Sequence, residues 1–579
     1  MGAKRQWPAL KSNWKKFANP PLFWQSISPY MRIFRVFLRA FCPWAAVLAL
    51  PFLSSATVEP QNVVLQYHFA GASQLADDTN ITAAQRVFAR QESAHYVEVV
   101  LNLLSTNLAK ALQVQGDKNA PVLMRPLLDD AVRAESVGYL GGTDGKPLNY
   151  FFAIRLGDDR MQLWQKNLKA VMHSQVEALQ DEKFSGWQCK TGTGDPFWVM
   201  TDRDWLLLGQ GAGFEPLRHP ALVEVQLFGE IGPDIGTNCF VANIDWPGMA
   251  TWFPALNSCP LKLGKTEIAI DTEMGGFHMT AKVKYPEAID WRQHPMLFPT
   301  NLVREPLVSF ATGQNVEPFL KSDEMLSQFC TDPFRDQFYF WSMNQLAFQS
   351  YVAWPAENPD STMATLASQV VKTLNPQLEA FDGTKFGWFP KREQLTWVNR
   401  PLVTPSVTAP PATNGPFLVA GVFPLTPGVA PAPQGLWEQL QGRKDLVYYD
   451  WEFTGPRLRQ LITISQTLPI MEALGIGPKP PRSPGGTNAP IAIAPGSVMD
   501  VQEHWLGNLA PFLANTVTEV TKTAPDELTI SRQSPFVFSS LELLLLSHWL
   551  TDTPAGKLDW DLLPEAPMSR GGVPFRIQH

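Results

Sequence analysis

Apolar runs in this chain change period along its length in an order that recurs, and this limits it to sheet-plus-helix architectures. A short β-type run from Val63 to Phe69 breaks at Gly71. Asp77 or Asp78 can cap the helical stretch that follows, "ITAAQRVFARQESAHYVEVVLNLLSTNLAKAL". Next, "PLNYFFAIRLGDDRMQLWQKNLKAVMHSQV" reads as strand, tight turn and helix, with Leu163, Leu168 and Val171 on one face. Two more strands are expected in "SGWQCKTG" and "FWVMTDRDWLLLGQG". Strand–helix–strand–strand with alternating apolar positions predicts an α+β fold, with helices on one side of an antiparallel sheet.

The later chain repeats the pattern. "FAGASQL" at Phe69 is echoed by "FATGQNV" at Phe310, each expected to end a strand. "CFVANIDWPGMATWF" is echoed by "LVYYDWEFTGPRLRQLI", which sets Asp245-Trp246 against Asp450-Trp451. "TEIAIDTEMGGFHMTAKV" is echoed by "TEVTKTAPDELTISRQ". These echoes predict a tandem duplication, with modules at 57–300 and 301–579. The competing reading is that strands followed by helices look alike in unrelated folds. The Pro/Gly-rich tracts at 401–416 and 475–497 read as loops. Near the end, "FSSLELLLLSHWL" is too short to span a membrane and reads as a buried helix packing on the preceding hairpin.

The compartment is read from residues 1–56. Eight Lys or Arg and no Asp or Glu precede residue 41, and the uncharged apolar run Ala40–Leu53 covers 14 residues. A spanning helix wants about 20, whereas a secretory h-region spans roughly 7–15 behind a basic n-region. Ser54 and Ala56 are small residues at the −3 and −1 positions of a cut before Thr57, and Met31 offers an alternative start. An uncleaved reading leaves residues 40–53 as an anchor in the cell membrane, with the basic leader cytoplasmic. The third reading is a buried helix of a soluble protein. Either of the first two places the body outside the cytoplasm, in the periplasm or cell envelope.

Without the eight leading positives the chain carries 39 basic and 54 acidic side chains. That acidic balance excludes the electrostatic footprint of a nucleic-acid binder. At 45% apolar and 17% charged, the body is globular rather than disordered. Its 20 tryptophans suit an aromatic core better than a carbohydrate-stacking surface. Beyond Cys42, the cysteines Cys189, Cys239, Cys259 and Cys330 permit disulfides, of which Cys239–Cys259 closes the shortest plausible loop, or stay reduced and buried.

Motifs for strained serine nucleophiles, helical zinc pairs, phosphate loops and calcium loops are all missing from the sequence. The nine histidines include no closely spaced ligand pair, so no metal or cofactor is expected. Four weaker features remain. Gly209, Gly211 and Gly213 could offer N–H groups to an anion, but read more simply as a turn. His68 with Asp77 and Asp78 could form an acid–base or cation site, against the simpler reading of a core-edge histidine beside capping aspartates. Asp129, Asp130 and Glu135 read as a solvated helix face, and Asp202 and Asp204 as a polar turn before Trp205.

The stretches "YHFAGASQLADDTN", "MQLWQKNL" and "NTVTEVTKTAPDELTISRQSPFVFSSLELLLLSHWL" resemble those of an uncharacterised family of exported or membrane-anchored bacterial proteins, over about residues 60–560. The resemblance implies an extracytoplasmic body and assigns no catalytic residues. Two functions stay open. One is a non-enzymatic binding or scaffold protein of the envelope, holding an envelope protein or small-molecule ligand. The other is an exported hydrolase with an acid/base site assembled from distant segments.

Overall fold

A computed structural model describes residues 62–552, apart from 112–118, 143–148, 173–175, 181–184, 191–195, 211–235, 253–262, 274, 290–295, 318–335, 348, 383, 399–403, 426–429 and 474–497. The export segment, Cys259, Cys330, Gly211, Gly213 and the second Pro/Gly tract lie outside the described residues. Among the described residues, no helix is long and apolar enough to cross a membrane.

The first run of strands comprises β1 (Asn62–Phe69), β2 (Ser136–Gly142), β3 (Asn149–Arg155), β4 (Glu177–Gln180), β5 (Ser185–Lys190), β6 (Pro196–Asp202), β7 (Trp205–Gln210), β8 (Asn238–Asp245), β9 (Lys265–Glu273) and β10 (Gly276–Lys284). After β11 (Arg304–Glu305), the second comprises β12 (Leu307–Gln314), β13 (Gln337–Met343), β14 (Ser350–Pro355), β15 (Lys385–Phe389), β16 (Gln394–Val398), β17 (Ser406–Thr408) and β18 (Phe417–Gly421). It ends with β20 (Leu446–Phe453), β21 (Asn515–Ala524) and β22 (Glu527–Ser534), while β19 (Ala430–Pro431) pairs only with β11. The short β17 lies inside the tract 401–416 that composition assigns to a loop.

Apart from β11 and β19, the strands form one antiparallel sheet, ordered β4–β5–β6–β7–β3–β2–β1–β8–β9–β10 and then β22–β21–β20–β12–β13–β14–β18–β17–β16–β15. Read inward from either edge, the strands follow each other in the same sequence-relative order. Four of five local irregularities also coincide, while the one at Thr523 of β21 has no counterpart between β9 and β10. Val64 bulges from β1 against β2, as Val308 does from β12 against β13. Cys239 bulges from β8 against β9, as Val447 does from β20 against β21. Seven residues past the first pair of bulges, Gly71 (φ 91°) and Asn315 (φ 61°) both take a positive φ just past the strand's end. Carried through the following hairpins, this register sets Thr280 of β10 against Ser531 of β22, and these two residues also face each other where the halves of the sheet join.

The strand-level echoes therefore fall in corresponding places, but two residue registers read from the sequence do not. Phe69 ends β1, whereas Phe310 sits in the middle of β12. Asp245 closes β8 and Trp246 opens a helix, whereas Asp450 and Trp451 lie inside β20. The shared letters are coincidental, because the bulges set the register.

Among the described residues, eleven helices of seven residues or more pack on this sheet: α1 (Thr82–Phe88), α2 (Gln91–Ala111), α3 (Ala120–Arg133), α4 (Asp158–Met172), α5 (Trp246–Trp252), α6 (Pro359–Thr373), α7 (Asn375–Asp382), α8 (Gln434–Leu440), α9 (Thr454–Ala473), α10 (Val498–Leu509) and α11 (Ser540–Asp552). The fold is mixed α+β. In α4 the buried stripe is Met161, Trp164, Leu168 and Val171, with Leu163 at its flank. Over the centre, α1 and α2 of the first run share one core with α9, α10 and α11 of the second, on Cys239, Phe240, Ala242, Ile270 and Phe277. Tyr96 of α2 stacks on Trp505 of α10 at 4.2 Å. The helix layer thus crosses the junction between the halves.

Strand alternation explains the sheet's two faces. Phe277, Met279, Ala281 and Val283 of β10 point into the helix-side core, continued by Leu528 and Ile530 of β22. The intervening His278, Thr280, Lys282 and Lys284 are half-buried or exposed on the opposite face, whose centre is polar.

Candidate functional site

Three polar clusters stand out. The first surrounds His68. Antiparallel pairing of β1 with β2 sets Phe69 against Ser136 and so brings Glu135, just beyond α3, beside His68. His68 is fully buried, and its Nε2 lies 2.9 Å from Glu135 Oε1. Arg155 Nη1 donates to Glu135 Oε2 at 2.6 Å, and its Nε lies 2.9 Å from Asp204 in the β6–β7 turn. Burial alone would raise the Glu135 carboxyl. The hydrogen bond to His68 and the Arg155 charge outweigh it and hold the group below its ordinary value.

The aspartates that sequence adjacency offered to His68 are used elsewhere. Asp77 is exposed, and Asp78 accepts from Asn80 N at 2.8 Å, capping a short turn. Nor do Asp129, Asp130 and Glu135 form a solvated face. Asp129 pairs with Arg125, and Asp130 accepts from Arg160 Nη2 (2.6 Å) and Trp164 Nε1 (2.8 Å), tying α3 to α4. Asp204 does lie in a turn, with Arg203 at φ 54°. Gly209 lies within β7.

The second cluster is an ionisable group beneath α9 and α11. Residues two apart on β20 share a face, so Asp450 and Glu452 both point toward the helices. Glu452 is buried and accepts from Ser540 N (2.7 Å) and Ser540 Oγ (2.6 Å) at the start of α11. That start is a capping box: Ser539 N donates to Glu542 and Glu542 N donates back to Ser539 Oγ. Arg532 of β22 then grips Glu542 with Nη1 (2.6 Å) and Nη2 (3.0 Å) and donates from Nε to Thr518. Arg457 of α9 donates to Gln460, 3.1 Å away.

Asp450 is the odd member: it makes no hydrogen bond or ion pair among the described residues. Burial, reinforced by the neighbouring Glu452 charge and only partly offset by Arg532, pushes its carboxyl up to about 8. Burial also raises Glu452, against the pull of its Ser540 bonds. Arg532 acts in the opposite sense on Glu542: its charge overcomes burial and lowers that carboxyl. With Cys239 and Val447 taken as equivalent, the first-run counterparts of Asp450 and Glu452 are Ala242 and Ile244. The same register puts Ala281 at the place of Arg532. The architecture folds with apolar residues here, so the charges are peculiar to the second run.

The third cluster lies on the open sheet face, at the β9–β10 hairpin. Asp271 stands directly across from His278, and Glu273 is two residues further along β9 on the same face. His278 Nδ1 is 3.5 Å from Asp271 Oδ1 and 3.7 Å from Glu273 Oε1, while Nε2 is 3.0 Å from Ser531 Oγ on β22. A search for histidine pairs misses this grouping. Alternation along each strand of "IDTEMGGFHM", folded at a two-residue turn that sets Glu273 against Gly276, puts all three residues on one face and would have found it.

Cys239 donates to Ile270 O at 3.3 Å as a buried free thiol, so the expected Cys239–Cys259 bridge is not formed. Burial pushes this thiol up to about 12. Cys189 is also buried.

No family model matches the chain. No curated protein matches it either. Among solved structures it is similar to crystal forms I and III of TP0453, each with 10% identity over 40% of this chain and 82% of that one, at TM-scores of 0.21 and 0.19. Likeness at those scores carries no argument about fold or function.

Proposed function

We propose that this chain is an exported or membrane-anchored protein of the cell envelope, related to the uncharacterised family it resembles. In this reading it is a non-enzymatic binding or scaffold protein built from two copies of one ten-strand module, at 57–300 and 301–579. The observation that carries the reading is the coincidence of strand order, four bulges and positive-φ residues in the two runs, which meet at Thr280 and Ser531. Two like modules joined edge to edge form a broad sheet whose polar central face belongs equally to both. A surface of that kind suits a partner that spans the junction. The basic leader and 14-residue apolar run support export. The buried carboxyl Glu452 supports the scaffold over a hydrolase, since the start of α11 covers it and Ser540 engages it.

Fractionation of cells expressing the full reading frame, with mass spectrometry of the protein's N-terminus, tests this proposal. A product beginning at Thr57 in the extracytoplasmic fraction, or an intact chain in the membrane fraction, is expected. An intact chain in the soluble cytoplasmic fraction would overturn it.

A further inference from the structure

We infer that Asp271, Glu273 and His278 form a binding site for a divalent transition metal of the zinc class on the open face of the β9–β10 hairpin. The inference rests on donor geometry and does not depend on where the protein resides.

Two protein atoms bound to one zinc ion at about 2.0–2.2 Å in tetrahedral array stand roughly 3.4 Å apart. The imidazole nitrogen lies 3.5 and 3.7 Å from the two carboxylate oxygens, and all three donor atoms fall within 4.8 Å of one another. A single ion between them needs only small rotations of side chains that a paired hairpin already holds on one face. One imidazole and two carboxylates suit a borderline divalent cation rather than the all-oxygen cages of calcium or the thiolate sets of structural zinc.

Three surrounding features point the same way. Ser531, from the neighbouring strand, meets His278 Nε2 and fixes the ring with Nδ1 toward the carboxylates, the outer-shell arrangement of a ligating histidine. Asp271 Oδ1 is shielded from solvent yet accepts no hydrogen bond among the described residues, a deficit that a cation would meet. In the corresponding hairpin of the second run the same register places Thr521 and Thr529 at the positions of Asp271 and His278, with the bulged Thr523 beside them. The hairpin therefore does not require these charges to fold, and placing Asp271 beside Glu273 costs repulsion unless a positive charge sits between them. The half-exposed rim leaves coordination positions open to water or to a donor from a bound partner.

The test uses the full chain, purified without a histidine tag, stripped with chelator and titrated with Zn²⁺ alone. One equivalent is expected to bind. His278→Gln and Asp271→Asn should each weaken binding at least tenfold, and Ser531→Ala by about tenfold or more through loss of ring orientation. Thermal unfolding of each variant checks that it is folded. Co²⁺ loaded into the wild-type chain should give visible bands without a thiolate charge-transfer band, which reads the ligand set without any variant. Absence of stoichiometric Zn²⁺ binding, binding that survives both ligand substitutions, or a thiolate band would each overturn the site.

Discussion

Asp450→Asn should make the protein more resistant to unfolding at neutral and alkaline pH, by an amount that grows with pH. The Asp450 carboxyl is half-buried, beside Glu452, and has no hydrogen-bond or ion-pair partner among the described residues, so ionising it within the fold is costly. Its value rises from an ordinary 3.8 to about 8. Between these limits the folded state holds a proton that the unfolded state has released, so wild-type stability must fall as pH rises. At about 1.4 kcal/mol per pH unit the ceiling on that loss is about 6 kcal/mol. Residual contact with water reduces it, and about 2–4 kcal/mol is the expected size. Asparagine keeps the shape and removes the titration. Urea unfolding of both proteins at intervals from pH 4.5 to 9 should give a stability difference smallest at the acid end, rising in the variant's favour, then levelling above pH 8. A difference independent of pH, or one that turns against the variant as pH rises, would mean that Asp450 is ionised and paired, and the reasoning would fail.

Other predictions concern parts of the same framework. Arg532→Met leaves Glu542 without its bidentate partner and adds to the charge imbalance around Asp450 and Glu452, so chemical denaturation should report a loss of about 3–5 kcal/mol. Gly455, at the start of α9, stands where an added Cβ would lie 2.0 Å from Ala510 O. Gly455→Ala should therefore cost about 1–3 kcal/mol in a thermal or urea melt, because the obstacle is backbone. Cys239, a buried thiol pushed up to about 12, should label with a thiol reagent in native protein only as fast as the fold opens, and rapidly in denaturant.

The sheet was legible in the sequence because its central strands alternate: Phe277, Met279, Ala281 and Val283 against His278, Thr280, Lys282 and Lys284 cannot be read as a helix. Helix α11 was legible for a similar reason, through an apolar run behind serines able to cap it. Register was not legible. Bulges at Val64, Cys239, Val308 and Val447 shift the count by one residue without any compositional mark, so the shared Asp-Trp letters misled. Distant partners were hidden as well. His68 finds Glu135 only through the pairing of β1 with β2, and nearness in sequence had offered Asp77 and Asp78 instead. The ionisable groups of Asp450, Glu452, Arg457, Arg532 and Glu542 come from four elements, and no local pattern unites them. The hairpin triad could have been read, since a two-residue turn between two alternating strands sets His278 directly across from Asp271.

The account turns on the two runs meeting edge to edge at one pair of corresponding residues. A chain carrying Thr280→Cys and Ser531→Cys, treated with a short thiol-bridging reagent and mapped by mass spectrometry, tests that pairing directly. The account predicts one dominant cross-link joining the peptides that contain residues 280 and 531, formed within a single chain and lost when either substitution is reverted. A cross-link that forms only between chains, or none from two reactive thiols in folded protein, would contradict it.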